Sequence, residues 1–309
     1  MKDKNKHRSG LINALIVICL IGMIVSGYLF FNKLFEYKRA ENEYRNVRES
    51  VITYIEESEE SSDETSDKEN SIVQENGNTD DLNPTVDDKS EPVKEKLKQP
   101  FKVDFKKLRE INDECVGWIY LEAVDLSFPV MHGTDNDYYL THTLEREWNV
   151  CGSIFIEWQN DGDLSDPNTI IYGHNINTGE MFAGTKKYIT ENAYEISPYF
   201  WIMTPNGVYK YKIFSIYEEL SNGEQYTLFY GKSKDFLQWA IKMRDKSYFD
   251  LGEQEFTMDD KIVTLSTCAG GDYRRIIQGI CIASETYEET QSPMPNKILF
   301  LHKHEMIVD

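Results

Sequence analysis

The chain has 309 residues, with 33 basic and 53 acidic side chains and a formal net charge of −20 at pH 7. So acidic a chain repels the phosphate backbone of nucleic acids, and the composition therefore excludes nucleic-acid binding as the main function. The length allows one or two domains with accessory segments.

An apolar run at residues 11–31 follows a basic tail at residues 1–10. The run holds 21 residues without a charge, and as a helix it would extend roughly 30 Å, the thickness of a bilayer core. By the positive-inside rule, the sequence predicts a single-pass membrane protein with a cytoplasmic N-terminus and an extracellular remainder. A cleaved signal peptide is the alternative, although the run is long for one and no A-x-A site follows. The tail contains four basic residues and one acid: Lys2, Lys4, Lys6, Arg8 and Asp3.

Residues 32–98 predict a helical stalk followed by an acidic linker. The stalk, which ends near residue 57, is rich in Glu, Lys, Arg and Tyr. The linker is rich in Ser, Asp, Glu and Asn with few large apolar side chains, which is typical of disorder. From residue 56 to residue 98 there are 15 acidic and 5 basic residues, so this stretch carries half of the net charge. We expect the linker to act as a spacer between the membrane and a folded domain at residues 99–309.

Short strands dominate the predicted folded domain, with a helix at residues 104–112 and another at 233–247. The second helix begins at Ser233 and is expected to pack one apolar face on the domain: Phe236, Leu237, Ala240 and Ile241. Many short strands separated by turn residues favour an antiparallel barrel or sandwich. The eight strand-like runs are 116–121, 126–130, 153–157, 168–173, 207–217, 261–267, 275–284 and 297–303.

The five cysteines are Cys19, Cys115, Cys151, Cys268 and Cys281. Neither a CxxC pair nor a Cys/His cluster is present, so the sequence predicts no metal site and no other cofactor. Cys281 stands between two isoleucines, which indicates a core position. The pattern leaves open whether Cys115 and Cys151 are paired or free.

Two strand-like runs end in residues suited to catalysis. One contains Thr264-Leu265-Ser266-Thr267-Cys268 and is followed by two glycines and two arginines; the other ends in Tyr172-Gly173-His174-Asn175. A thiolate nucleophile needs an accessible sulfur in an electropositive setting, and a nearby imidazole can move protons. A folded sheet can bring such strand ends together.

These segments resemble the sortase family, and further segments resemble its class B. The resemblance covers roughly residues 100 to 309. It implies an eight-stranded β-barrel with peripheral helices and a cysteine transpeptidase of the Gram-positive cell surface. The further segments are Val116–Ile119, Phe128–Val130, Asp135–Leu140, Gly152–Ile156 and Gly179–Phe182.

The resemblance also implies roles for three residues. Cys268 would be the nucleophile that forms a thioester, and His174 the acid and base. Arg274, rather than the adjacent Arg275, fits the family spacing for the arginine that stabilises the oxyanion, although the loop from the cysteine is shorter than the resemblance implies. Five residues are weaker candidates for contacting the substrate: Asn136, Ser266, Thr267, Arg275 and Tyr226.

The resemblance implies partners as well. The substrates would be secreted surface proteins that carry a C-terminal sorting motif, and the acceptor would be an amine of a peptidoglycan precursor or of a pilin. Two alternatives stay open: a secreted cysteine endopeptidase that mainly hydrolyses its substrate, and an inactive membrane-tethered binding domain.

Overall fold

The structure is a computed structural model, and it describes residues 2–55, 97–176 and 178–287, with side chains from residue 15 onward. The predicted strand at 297–303 and almost all of the predicted acidic linker lie outside the described residues.

A single helix, α1 (Lys2–Val51), forms the N-terminal part of the chain. It contains a stretch that is long and apolar enough to cross a membrane, and the side chains of that stretch are exposed. Its last part is different, because four residues spaced three or four apart form one buried face against the folded domain: Ala40, Tyr44, Val47 and Val51. The predicted stalk is therefore helical, but it is packed on the domain and does not stand free.

The chain on either side of the undescribed segment 56–96 is held together. Strand β1 (Ile52–Tyr54) pairs antiparallel with β2 (Phe101–Val103), and the Asp104 amide donates to the Val51 carbonyl at 2.9 Å. The segment thus leaves and rejoins the domain at one edge, after α1 has already docked. This arrangement is not compatible with the predicted role of the acidic segment as a spacer between membrane and domain.

Eight further strands close into a barrel. They are β3 (Cys115–Leu121), β4 (Leu126–Met131), β5 (Ile154–Ile156), β6 (Asn168–Tyr172), β7 (Tyr199–Thr204), β8 (Gly207–Leu220), β9 (Ile262–Gly270) and β10 (Tyr273–Thr286). Their order around the barrel is β10-β8-β7-β3-β4-β5-β6-β9. The pairs β4·β5 and β6·β9 are parallel and the others are antiparallel. The eight-stranded barrel with peripheral helices that the resemblance implied is confirmed.

Seven of the eight barrel strands overlap strand-like runs of the sequence. The remaining one, β7, was not predicted. Its residues Tyr-Phe-Trp-Ile-Met-Thr show no alternation of polar and apolar side chains, because five of the six are buried. Without that alternation, periodicity gives no strand signal. The barrel closes with β7, so the predicted strand at 297–303 is not one of its eight.

Three shorter helices complete the described fold: α2 (Phe105–Ile111), α3 (Lys187–Thr190) and α4 (Lys234–Asp245). Helix α4 begins as predicted, with the Ser233 hydroxyl accepting from the Phe236 amide at 3.0 Å. Its buried face is Phe236, Trp239, Ala240 and Met243, packed on a hydrophobic cluster of β8, β9 and β10. The predicted face is partly wrong, because Ile241 is 39% exposed. Helix α4 thereby covers the barrel next to the strand that carries Cys268.

Candidate active site

The parallel pairing of β6 and β9 places His174 next to Cys268. Tyr172 is in register with Ser266, the Gly173 amide donates to the Ser266 carbonyl at 3.2 Å, and the Asn175 side chain donates to the Cys268 carbonyl at 2.8 Å. Continuing this register by two residues sets the histidine beside the cysteine on strands about 4.8 Å apart. The two sequence motifs therefore meet at one edge of the barrel.

A tight hairpin between β9 and β10 places Arg274 directly across from Cys268. The two glycines of the turn, Gly270 and Gly271, both have positive φ. The pairing of β9 with β10 shifts register between Tyr273 and Arg274, and this irregularity sets Arg274 opposite Cys268. Opposed residues of an antiparallel pair share one face, with their Cβ atoms about 5 Å apart. Although the loop after Cys268 is shorter than the resemblance implies, it therefore places Arg274 beside the thiol.

The two adjacent arginines face opposite sides of β10, as alternation requires. Arg274 is half-buried at the cleft, where its guanidinium lies 3.1 Å from the Tyr273 carbonyl of its own hairpin. Arg275 is 4% exposed, and its guanidinium forms an ion pair with Glu218 at 3.0 Å. The expectation that Arg275 contacts the substrate is not supported, because its side chain lies on the face away from the cleft.

A surface cleft of about 300 Å³ joins the candidate residues. It receives side chains from the β4–β5 connection, β5, the end of β6, the segment before α4, β9 and β10. Of the residues singled out from the sequence, only Arg275 does not line it. The lining residues are Asn136, Leu140, Phe155, Tyr172, Gly173, His174, Ser221, Tyr226, Ser266, Thr267, Cys268 and Arg274.

His174 is oriented by a main-chain carbonyl. Its Nε2 atom lies 2.8 Å from the carbonyl oxygen of Leu140. A carbonyl can only accept a hydrogen bond, so Nε2 carries the proton in this contact. The Nδ1 atom is then left for proton transfer, which a general acid and base requires.

A polar network centred on the buried Glu157 carboxylate holds Asn136. The Asn136 amide donates to Glu157 at 2.7 Å and accepts from the Trp158 main chain at 3.0 Å, while the Tyr172 hydroxyl donates to Glu157 at 2.8 Å. Burial beside the Glu157 carboxylate raises the pKa of Tyr172, so its hydroxyl stays protonated at neutral pH. Asn136 is thus held in place at the cleft by partners within the chain.

Tyr226 reaches the cleft from a turn that the barrel fixes. The buried side chain of Asn168 donates to the carbonyls on both sides of Tyr226, at 3.3 Å to Gln225 and 3.0 Å to Thr227. The Tyr226 hydroxyl lies 2.8 Å from the Ser266 hydroxyl, two residues before the cysteine. The two predicted side chains therefore form one preorganised polar edge.

Thr267 lies on β9 between Ser266 and Cys268 and borders the cleft. Its side chain is 4% exposed, and its hydroxyl has no hydrogen-bond partner among the described residues. Substrate contact through this hydroxyl is not supported.

The remaining barrel cysteines are not suited to thiolate chemistry. All five cysteines are free, and of the four that follow α1 only Cys268 is exposed. Burial raises the pKa of Cys115 and Cys151 to about 12 and that of Cys281 to about 11, so these thiols are neutral at pH 7. Within the described residues, no three His, Cys, Asp or Glu side chains come together in a way that could hold a metal ion.

Sequence reasoning missed several parts of the site. Tyr172 and Asn175 flank His174 in a motif that was recognised, so their proximity to the cleft could have been inferred. Glu157, at the end of β5, and the Leu140 carbonyl carried no such signal, because their contacts come from residues distant in the chain.

Comparison with known proteins identifies this arrangement. No protein-family model matches the chain. It is 32% identical over 180 residues to sortase B of Listeria monocytogenes, covering 57% of this chain and 73% of the relative. The chain belongs to the class B sortase family. It is therefore a sortase-type cysteine transpeptidase, as the resemblance implied.

Solved class B sortases share the fold. The sortase B of Clostridium perfringens superimposes with a TM-score of 0.55 at 29% identity, covering 58% of this chain and all of that one. A Staphylococcus aureus sortase B solved as a substrate complex gives a TM-score of 0.54 at 30% identity, covering 58% and 84%. Each of these structures covers 58% of this chain, so the class B barrel makes up somewhat more than half of it.

Proposed function

We propose that this class B sortase is anchored in the cell membrane, cleaves a C-terminal sorting motif of secreted proteins, and transfers the product to an amine of the cell wall precursor or of a pilin. The observation that supports it best is the convergence of Cys268, His174 and Arg274 on one exposed cleft. Family membership supplies the reaction class, and the cleft supplies the residues.

In the first step, His174 takes the proton of the Cys268 thiol, and the sulfur attacks the carbonyl carbon of the scissile peptide bond. The guanidinium of Arg274 donates hydrogen bonds to the oxyanion that forms. The carbon–nitrogen bond then breaks, and His174 donates a proton to the leaving amine. The N-terminal part of the substrate is left as a thioester on the cysteine.

In the second step, the acceptor amine attacks the thioester carbonyl. His174 removes the proton from the incoming nitrogen, the carbon–sulfur bond breaks, and the cysteine sulfur leaves as a thiolate that takes this proton from His174. A new amide bond joins substrate and acceptor. Water can take the place of the amine, and the product is then a hydrolysed peptide.

Peptide recognition is assigned to the polar edge of the cleft. Ser266 lies two residues before Cys268 and is hydrogen-bonded to Tyr226, and Asn136 lines the same cleft. The solved substrate complex of the S. aureus relative supports substrate binding to a barrel of this kind. Ser266 and Tyr226 are the stronger candidates, because the amide of Asn136 already has two partners within the chain.

A peptide assay tests the reaction. The full chain is incubated with a library of sorting-type peptides, with and without an amine acceptor, and the products are followed by mass spectrometry. We expect a mass increase on Cys268 corresponding to the thioester, and a ligated product that appears only with the amine. Hydrolysis unaffected by any amine would favour the endopeptidase alternative, and the absence of both products would favour the inactive binding domain.

A topology experiment tests the anchor. We expect the full chain in the membrane fraction of Gram-positive cells, because residues 11–31 match the bilayer thickness. Protease added to cells stripped of their wall should degrade the barrel, while a cytosolic marker protein stays intact. Release of a barrel that lacks residues 11–31 would indicate a cleaved signal peptide, and a protected barrel would contradict the orientation.

A further inference from the structure

The β4–β5 loop, residues 132–153, supplies the carbonyl that orients His174. Its Leu140 oxygen accepts from Nε2 at 2.8 Å. The neutral imidazole has two tautomers, and this contact favours the one with the proton on Nε2. The position of one loop carbonyl therefore decides which nitrogen is available for proton transfer.

Gly152, at the far end of the same loop, packs directly behind that carbonyl. Its φ is +55°, and a Cβ atom on it would lie 2.6 Å from the Leu140 oxygen and 2.4 Å from the Tyr139 oxygen. The Ser153 amide also donates to the Tyr139 carbonyl at 2.9 Å. A shift of Gly152 would therefore move the main chain that contacts the histidine.

Helix α1 holds Gly152 from the outside. The Tyr44 hydroxyl donates to the Gly152 carbonyl at 2.8 Å and lies 2.9 Å from the Ser153 hydroxyl. Tyr44 is only 5% exposed, and burial raises the pKa of its hydroxyl, so it remains a donor at neutral pH. The helix thus reaches the loop at the residue that supports the Leu140 carbonyl.

Other contacts fasten the same stretch of α1 to the same loop. Glu43 accepts from the Glu145 amide at 3.1 Å. Two more contacts lie one to two turns earlier: Arg39 with Glu147 at 2.9 Å, and the Asn149 amide with the Glu36 carbonyl at 2.9 Å. The exposed ion pair contributes little. Of these contacts, only that of the buried tyrosine is made to Gly152, the residue that packs against the Leu140 carbonyl.

We propose that Tyr44 is a positioning residue for His174, acting through Gly152 and Leu140, so that the helix leading out of the membrane span is a structural part of the active site. The inference rests on the proposed role of His174. Tyr44 touches neither the reacting atoms nor the cleft, and its effect is on the orientation and tautomer of the imidazole.

The test compares Tyr44→Phe with the unaltered full chain in detergent micelles. Phenylalanine keeps the ring and its packing and removes only the hydroxyl. We expect kcat for peptide transfer to fall about tenfold with little change in KM, as is typical when a group that orients a catalytic side chain is lost. In chains labelled with ¹⁵N-histidine, the His174 signals should shift from the Nε2–H form toward the other tautomer.

Val47→Ala is the matched control. Val47 is one turn further along the same buried face of α1 and has only apolar contacts with the domain. This change lowers stability without removing a hydrogen bond to the loop, so kcat and the His174 signals should stay as they are. Gly152→Ala should lower kcat more than Tyr44→Phe does, because its Cβ would displace the Leu140 carbonyl.

Two outcomes would overturn the proposal. One is an unchanged kcat and tautomer in a folded Tyr44→Phe protein, and the other is an equal loss in Val47→Ala, which would reduce Tyr44 to a stabilising role. The variant His174→Ala distinguishes a failure of the positioning role of Tyr44 from a failure of the proposed acid–base role of His174. If His174→Ala keeps transfer activity, the acid–base role itself is wrong; if it abolishes transfer while Tyr44→Phe does not alter it, only the positioning role is wrong.

Discussion

Replacing Cys268 by alanine is expected to abolish both cleavage and transfer while leaving the barrel folded. The sulfur is exposed at the end of β9 and makes no packing contact in the core clusters, so the fold loses little when it is removed. Without it there is no thioester, and we expect peptide turnover to fall by at least about 1000-fold. Peptide cleavage measures the activity, and circular dichroism with thermal melting measures the fold.

Cys281→Ala is the control for this experiment. Cys281 is a partly buried thiol that packs against the main core, and its raised pKa, about 11, keeps it protonated. We expect full activity and a stability loss of about 1 kcal/mol. Appreciable turnover in Cys268→Ala, or its loss in Cys281→Ala, would show that the nucleophile is assigned to the wrong cysteine.

Arg274→Lys is expected to lower kcat/KM about 100-fold or more, since this is the typical effect of losing a donor to an oxyanion. Lysine keeps the positive charge but cannot present two parallel N–H groups. Arg274 is opposite Cys268 on the face that borders the cleft, so its guanidinium can turn from its own hairpin carbonyls to a bound substrate. Steady-state kinetics with a cleaved peptide measures the effect.

Arg275→Lys provides the contrast, one residue away. Its guanidinium is buried and paired with Glu218, so the change should lower stability by about 1–3 kcal/mol and leave kcat/KM of the folded protein nearly unaltered. Equal kinetic losses in the two variants, or a larger loss at Arg275, would reverse the assignment. Thermal melting of both variants separates the stability effect from the kinetic one.

The many short strands predicted an antiparallel barrel or sandwich, and the family resemblance implied the eight-stranded barrel. The meeting of the two motifs could be expected because strand ends with distinctive residues are local signals. Cys268 and His174 each follow an apolar run, and a sheet can join such runs. Strand alternation, together with the register of β9 and β10, then distinguishes Arg274 from Arg275. From the sequence, Arg274 could be favoured by the family spacing alone, because the register of a hairpin depends on the geometry of its turn.

Other features depended on contacts that no local pattern encodes. Strand β7 is buried along most of its length and has no alternation to detect. The face of α4 was misplaced because Trp239 and Met243, not Ile241, meet the barrel. The second half of α1 is rich in charged residues, and its narrow buried face contains only four apolar side chains, so the sequence predicts a stalk there.

The docking of α1 would hold the barrel at a fixed distance from a membrane that contains residues 11–31. The helix is continuous, and among the described residues its earliest hydrogen bond to the β4–β5 loop is at Glu36, five residues beyond the apolar run. At about 1.5 Å per residue, that contact lies roughly 8 Å from the end of the run. With residues 11–31 inserted in a bilayer, the barrel would have a short reach and would act on chains presented at the membrane surface. Changing the length of the segment 56–96 would leave this reach unaltered, because both ends of that segment attach to the already docked domain.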